Sequence, residues 1–201
     1  TYLEKQRIRS RNSSITSSDE WVIIKKDGHS NFIGYSNLEC KSVILKYRQV
    51  TIDGQIKYHI VFQETPFYAE SGGQIGDSGL VKSGNEEINV INTFKENDLI
   101  IHLTEKLPKE TKSEFLLEVN SLKRRLISKN HSATHLLHAA LREVLGDHFT
   151  QKGSLVNDNI LRFDFSHFTK ISDKEILSIN EIVNRKIFEN ISVEILENTS
   201  I

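Results

Sequence analysis

The residues in this chain best suited to chemistry are two histidines four positions apart, His131 and His135, in the run Asn130-His131-Ser132-Ala133-Thr134-His135. On a helix their imidazoles leave the backbone one turn apart, and two such rings can grip one metal ion. No glutamate stands between them, so the His-Glu-x-x-His arrangement of a metalloprotease is absent. The spacing alone is a weak signal, because a lone histidine is more often an ordinary core or surface residue.

The element that must carry the pair is a helix. Ala133, Leu136, Leu137, Ala140, Leu141 and Val144 recur at helical spacing and predict an amphipathic helix over 131–145. Gly146 is a suitable stop. His131, His135, His138 and Arg142 form a second stripe, roughly opposite the apolar one at about 100° per residue. That places them on a solvated polar face or facing a cleft. A basic segment, Lys123-Arg124-Arg125 to Lys129, leads into this helix.

Upstream the hydrophobic period is two. Strands are expected at Trp21–Lys25, Lys41–Val50, Ile56–Gln63, Leu80–Lys82, Glu87–Phe94, Leu99–Thr104 and Phe115–Val119. Turn signals separate them: Lys26-Asp27-Gly28, Asp53-Gly54, Ser83-Gly84-Asn85 and Asn97-Asp98. Short strands without intervening helices favour a small antiparallel β-barrel. Downstream of the histidine helix come strands at Thr150–Val156 and Leu161–Phe165, joined through Asn157-Asp158-Asn159. A second helix follows from about Asp173 to Glu189, with Ile176, Ile179, Val183 and Ile187 on one face and Ser172 or Asp173 as N-cap. Ser192–Leu196 reads as a last strand. The order suggests an α+β architecture, with helices on an antiparallel sheet. The expected divisions are a leader over 1–20 (a helix end at Tyr2–Arg11 and a Ser/Thr-rich linker at Ser10–Ser18), a barrel over 21–110 and an α/β part over 111–201.

Composition sets the bounds. The chain has 201 residues, 37% of them apolar and 26% charged, which is the balance of a globular protein with a polar surface. The formal net charge of −1 means that nucleic-acid contact must use local basic patches. No apolar run approaches the roughly 18–20 residues of a membrane span, so no membrane partner is expected. The charged start, Thr1–Arg11, is not a secretory signal. The single cysteine, Cys40, allows no intramolecular disulfide and fits a reducing, cytoplasmic setting. A start at Thr1 and the lack of any methionine suggest a piece of a longer polypeptide.

Four glycines occur within eight residues in Phe67-Tyr68-Ala69-Glu70-Ser71-Gly72-Gly73-Gln74-Ile75-Gly76-Asp77-Ser78-Gly79. This is not a dinucleotide fingerprint, because the spacing is wrong and strands follow. Two readings stand: tight turns and bulges at a barrel corner, or a loop whose exposed backbone lets a nucleic acid approach, with Glu70, Gln74 and Asp77 as polar tips.

Taken with Asn130-His-Ser-Ala-Thr-His-Leu-Leu-His-Ala-Ala-Leu-Arg142 some fifty residues later, with Gln151-Lys-Gly-Ser-Leu-Val156 and with Leu161-Arg-Phe-Asp-Phe-Ser-His167, the glycine-rich stretch resembles the editing domain of alanyl-tRNA synthetases. The resemblance runs from about Trp21 to the end, and the segment Glu4–Arg7 resembles the tail of a preceding tRNA-binding region. It implies a β-barrel joined to an α/β editing part of the threonyl/alanyl-tRNA synthetase type. It also implies hydrolysis of tRNA(Ala) mischarged with serine or glycine.

The resemblance further implies one zinc ion on four protein ligands. Two are His131 and His135; the others come from a later Cys-x-x-x-His motif that this sequence lacks, so the chain is expected to end inside its own metal site. Cys40 lies in no matching context and is expected to be an ordinary structural cysteine. Such a zinc would serve as a Lewis acid, lower the pKa of a bound water to about 7, or mainly orient the site. Gln151 matches a position at the editing pocket, where an amide can hydrogen-bond a serine hydroxyl, although an ordinary strand residue is the alternative. Gly72, Gly73, Gln74 and Asp77 would flank the terminal adenosine of the tRNA acceptor end, with Arg162 and His138 near the pocket. Lys123, Arg124, Arg125 and Lys129 could meet phosphates, although a charge run is more often a solvated face. ATP and Mg would serve only the charging reaction, in other parts of the synthetase. The alternatives are an inactive tRNA-contacting module with an incomplete metal site, and a free-standing editing protein, against which the charged leader and linker argue.

Overall fold

The computed structural model describes residues 15–26, 28–146 and 148–192. Two compact units emerge, Thr1–Leu126 and Ile127–Ile201. The division falls later than 110/111, because the strand Glu114–Val119 pairs into the sheet of the first unit. The expected helix end at Tyr2–Arg11, the Asp27 turn position and nearly all of the expected last strand lie outside the described residues.

The first unit is built from β1 (Ile15–Ser18), β2 (Val22–Ile23), β3 (Asn31–Phe32), β4 (Glu39–Ile52), β5 (Gln55–Phe62), β6 (Glu64–Thr65), β7 (Gly79–Ser83), β8 (Glu86–Glu96), β9 (Leu99–Thr104) and β10 (Glu114–Val119). Six of these close antiparallel in the order β4-β10-β7-β8-β9-β5, with β5 returning to β4. Closure removes the free edges that an open sheet must protect. β1 and β2 both pair with β4. Part of the expected Ser/Thr-rich linker is therefore strand, and the expected strand at Trp21–Lys25 shrinks to Val22–Ile23.

The hairpins follow their turn chemistry. Asp53 and Gly54 take φ of 52° and 75° between the paired Ile52 and Gln55, the positive-φ pair of a type I′ turn. Gly84, at φ 56°, turns β7 into β8, and Asn97, at φ 54°, turns β8 into β9. Alternating residues point inward, and Ile60, Phe62, Phe67, Phe115 and Leu117 are each at most 1% exposed. On the other face of the β4–β5–β9 region, Leu45, Val61 and Ile101 form a smaller cluster packed by Trp21. Lys46 Nζ and Arg48 Cζ lie 4.9 and 4.4 Å from the Trp21 ring centre, within cation–π range.

Helix α1 (Ser121–Leu145) crosses the division between the units and starts ten residues earlier than the apolar period predicts. Its basic first turns are helical because Asn120 Oδ1 accepts the Lys123 amide at 3.0 Å, a side-chain cap on an otherwise orphaned donor. It ends at Gly146, whose φ of 89° and N–H to the Arg142 carbonyl form a glycine C-cap.

The second unit continues with β11 (Thr150–Val156) and β12 (Leu161–Ser166), an antiparallel pair turned by the Asn157 side chain, which accepts the amides of Asn159 and Ile160. Helix α2 (Asp173–Phe188) starts at a capping box between Ser172 and Glu175. The unit's core gathers Ala140, Leu141, Leu145, Phe149 and Ile179. The expected core face of α2 is corrected: Ile179 and Val183 pack inward with Ile182, whereas Ile176 and Ile187 are exposed. Among the described residues, an antiparallel barrel, a separate hairpin and two helices make the fold α+β.

Candidate functional site

His131 and His135 lie face to face on α1, ring centres 5.0 Å apart and planes 25° from parallel. His131 is partly buried, and that burial, with His135 beside it, lowers its pKa below the ordinary histidine value. Both effects favour the neutral ring, the form that binds a metal. A closed structural zinc shell needs four ligands. Among the described residues no group of three or more His, Cys, Asp or Glu is gathered to hold an ion. The residues present fit half of such a shell, and no chemical step below runs through a metal. Cys40 packs against the barrel core, and burial followed by the nearby Glu64 pushes its thiol up to about 11. It is held as an unreactive thiol, in keeping with a structural role.

The expected side of α1 packs through Leu137, Ala140, Leu141 and Val144. It is widened by the buried Ile127, Thr134 and Leu145, which puts His138 at the edge of the core. The His138 ring meets Phe149 edge-on at 5.2 Å and lies 5.4 Å from Phe163. His138 is therefore a packing residue that ties α1 to the hairpin, and it leaves the polar stripe to His131, His135 and Arg142. Gln151 is exposed on β11, opposite Phe165 of β12. Arg162 is exposed on β12, where its Nε donates to Asp164 Oδ2 at 3.0 Å.

The glycine-rich stretch is built into the barrel at Gln74, Gly76, Asp77 and Gly79. A Cβ on Gly76 would lie 1.8 Å from the Thr93 carbonyl oxygen, and one on Gly79 would lie 2.1 Å from that of Glu118. Gln74 and Asp77 are 5% and 1% exposed, which corrects their expected place at polar tips. Asp77 accepts the Tyr68 amide at 2.7 Å and is ion-paired with Arg124. What stays open is the turn Ser71–Gln74: Gly72 is exposed at φ 60°, with no atom within 4 Å of a Cβ built there, and Gly73 follows at φ 84°. The backbone-approach reading thus concerns Gly72 and Gly73.

The basic segment divides in the same way. The Arg124 side chain is 13% exposed and donates to Asp77, to the Gly34 carbonyl and to the Pro66 carbonyl. This corrects the expectation that it meets phosphate, because its donors are turned into the fold. Lys123 is half-buried and reaches Ser78 Oγ at 3.4 Å. Arg125 and Lys129 are exposed.

Two aromatic groups carry no sequence signal, because distant residues make them. Tyr35, 66% exposed, meets Phe32 edge-on at 5.0 Å, and Phe32 meets Tyr68 at 5.9 Å. At the open end of the β11–β12 hairpin, beside the paired Thr150 and Ser166, His148 stacks on both His167 and Phe168.

The family model for tRNA synthetases class II (A) matches residues 1–120, more than half of the chain. The chain belongs to the class II (A) tRNA synthetases. The synthetase chain is 50% identical over 201 residues to the alanine--tRNA ligase of Cytophaga hutchinsonii, which covers 100% of this chain and 23% of that protein. It is 47% identical over 192 residues to that of Parabacteroides distasonis, covering 96% and 22%. It is 43% identical over 201 residues to that of Christiangramia forsetii, covering 98% and 23%. The chain thus spans less than a quarter of the length of these relatives. The family match ends with the barrel, whereas the similarity to these three ligases takes in α1 and the β11–β12 hairpin.

Proposed function

We propose that this synthetase chain is the editing region of an alanine--tRNA ligase and hydrolyses the ester that joins serine or glycine to tRNA(Ala). The observation that carries the reading is the presence, in one compact unit, of two face-to-face imidazoles on α1 and an exposed amide, Gln151, on the next strand. The identity to alanine--tRNA ligases supports it. In this reading the editing part is of the threonyl/alanyl-tRNA synthetase type and works in the cytoplasm. His131 and His135 supply two of four zinc ligands, and the other two come from outside these 201 residues. Charging with alanine, which uses ATP and Mg, belongs to the rest of the synthetase.

The residues present account for the selection of serine. Water adds to the ester carbonyl carbon, the acyl C–O bond breaks, and the ribose oxygen leaves with a proton. Gln151 hydrogen-bonds the serine hydroxyl. An alanyl ester lacks that group and leaves the amide unpaired, so a polar pocket penalises the cognate ester. His138 holds the start of β11 through Phe149. The backbone at Gly72 and Gly73 is accessible to the acceptor end, and Lys123, Arg125 and Lys129 meet phosphates.

A second reading rests on the same half shell: an RNA-contacting module that is inactive by itself. Assaying seryl-tRNA(Ala) hydrolysis and bound zinc, for this chain and for the synthetase polypeptide that contains it, separates the two. Hydrolysis with about one zinc per chain, both lost on His131→Ala, supports the editing reading for this chain. Activity in the longer polypeptide alone assigns editing to the parent and the inactive module to these residues. Activity in neither overturns the editing reading.

A further inference from the structure

Three rings stand nearly parallel at the open end of the β11–β12 hairpin. His148 lies 5.1 Å from His167 at 26°, and 5.2 Å from Phe168 at 15°. The imidazoles are joined edge to edge, His148 Nε2 lying 3.2 Å from His167 Nδ1, and His167 Nε2 lies 3.3 Å from Thr169 Oγ1. Phe168 is 86% exposed. Its ring lies nearly parallel to the His148 imidazole, which fixes the plane of the face it presents to solvent.

We propose that Phe168, backed by His148 and His167, is a stacking platform for an unpaired nucleobase of the tRNA. The surface matches a base in two respects. Its face is aromatic and offset-stacked, the geometry in which one more π-face extends the pile. Its neighbours are polar: the two imidazoles are hydrogen-bonded to each other, the Thr169 hydroxyl is bonded to His167, and the exposed Lys170 follows two residues on, groups that suit the hydrogen-bonding edge and the phosphate of a nucleotide better than an aliphatic protein surface. Stacking is tolerant of sequence, because every base has a π-face. The platform holds single-stranded nucleotides in place without reading them. Thr150 and Ser166, which pair beside the histidines, continue directly into the strand pair of Gln151 and Phe165, so the platform lies at the end of the hairpin that carries Gln151. This inference rests on tRNA being the partner in the editing reading.

The test uses the whole chain and a tRNA(Ala) transcript in which the unpaired 3′ bases are replaced, one at a time, by fluorescent 2-aminopurine, which dims when stacked. Binding to the unaltered chain is expected to quench one position. Phe168→Leu, which keeps an apolar side chain without the π-face, is expected to restore that fluorescence at saturation and to weaken binding about tenfold. Phe168→Trp is expected to restore both quenching and affinity, and circular dichroism on both variants shows that the fold is kept. Equal quenching and affinity in Phe168→Leu would overturn the platform while leaving the editing reading standing. If the unaltered chain fails to bind the tRNA at all, the platform falls, while the editing reading stands or falls by hydrolysis in the longer polypeptide.

Discussion

Asp77→Ala leaves the Arg124 guanidinium without its carboxylate in a place where the two side chains are 13% and 1% exposed. Removing one partner of a buried pair costs about 3–5 kcal/mol. The expected result is a large fall in the urea midpoint at unchanged slope, whereas Lys123→Ala, which removes an ammonium 3.4 Å from the Ser78 hydroxyl, changes it little. Equal effects would contradict the structural role given to Asp77 and Arg124. The two buried barrel histidines make a pH prediction. His102 is lowered from 6.5 to about 4, chiefly by burial and against the Ile60 carbonyl it bonds; His59 is lowered to about 4 by burial, then by Arg48. Both stay neutral when folded and take up protons when unfolded. Their stabilisation is complete above the unfolded value and is lost as the pH falls from about 6.5 towards 4. Urea midpoints measured from pH 7 to 5 are expected to fall, and to fall less in His102→Gln, which removes one of the two groups. A midpoint flat over that range would contradict the burial of these rings. At this scale the sequence marks out residue types but not their surroundings. Asp77 and Arg124 look like surface contacts until a pairing across 47 positions buries them.

Among the elements, the hairpins could be read from sequence because their determinants are local. Asp53-Gly54 and Asn97-Asp98 carry the residues that tolerate positive φ, and the strands beside them alternate. The start of α1 could not be read in this way. Its apolar spacing begins only at Ala133, while its first turns are held by the Asn120 cap and by Arg124 reaching Gly34 and Pro66. The packing side of α1 is also wider than the apolar stripe, because Thr134 is buried with its hydroxyl bonded to the Asn130 carbonyl. In α2 the cap was visible as Ser172 or Asp173, and the structure places it at Ser172, with both bonds of a capping box to Glu175 closed. Ser172→Ala is expected to cost about 1 kcal/mol and to speed amide hydrogen exchange in the first turn of α2 without touching the barrel. Unchanged exchange there would contradict the cap.

The whole molecule is two compact units, a barrel that accounts for its own glycines and a smaller unit that carries the candidate chemistry. The division of labour was visible as the switch from period two to helical spacing, although its position was not, because β10 returns to the barrel after a stretch that carries no clear period. The histidine pair and Gln151 were visible as types and spacing. The stack of His148, His167 and Phe168 was not, since the hairpin brings together residues 19 positions apart. The central claim is that these elements serve to remove the wrong amino acid from tRNA(Ala). It is tested most directly by the ratio of hydrolysis rates for seryl- and alanyl-tRNA(Ala), measured on the synthetase polypeptide that contains this chain, unaltered and as Gln151→Ala. The account predicts a ratio well above one that falls by about tenfold or more when the amide is removed. Equal rates for the two esters, or a ratio indifferent to Gln151, would contradict it.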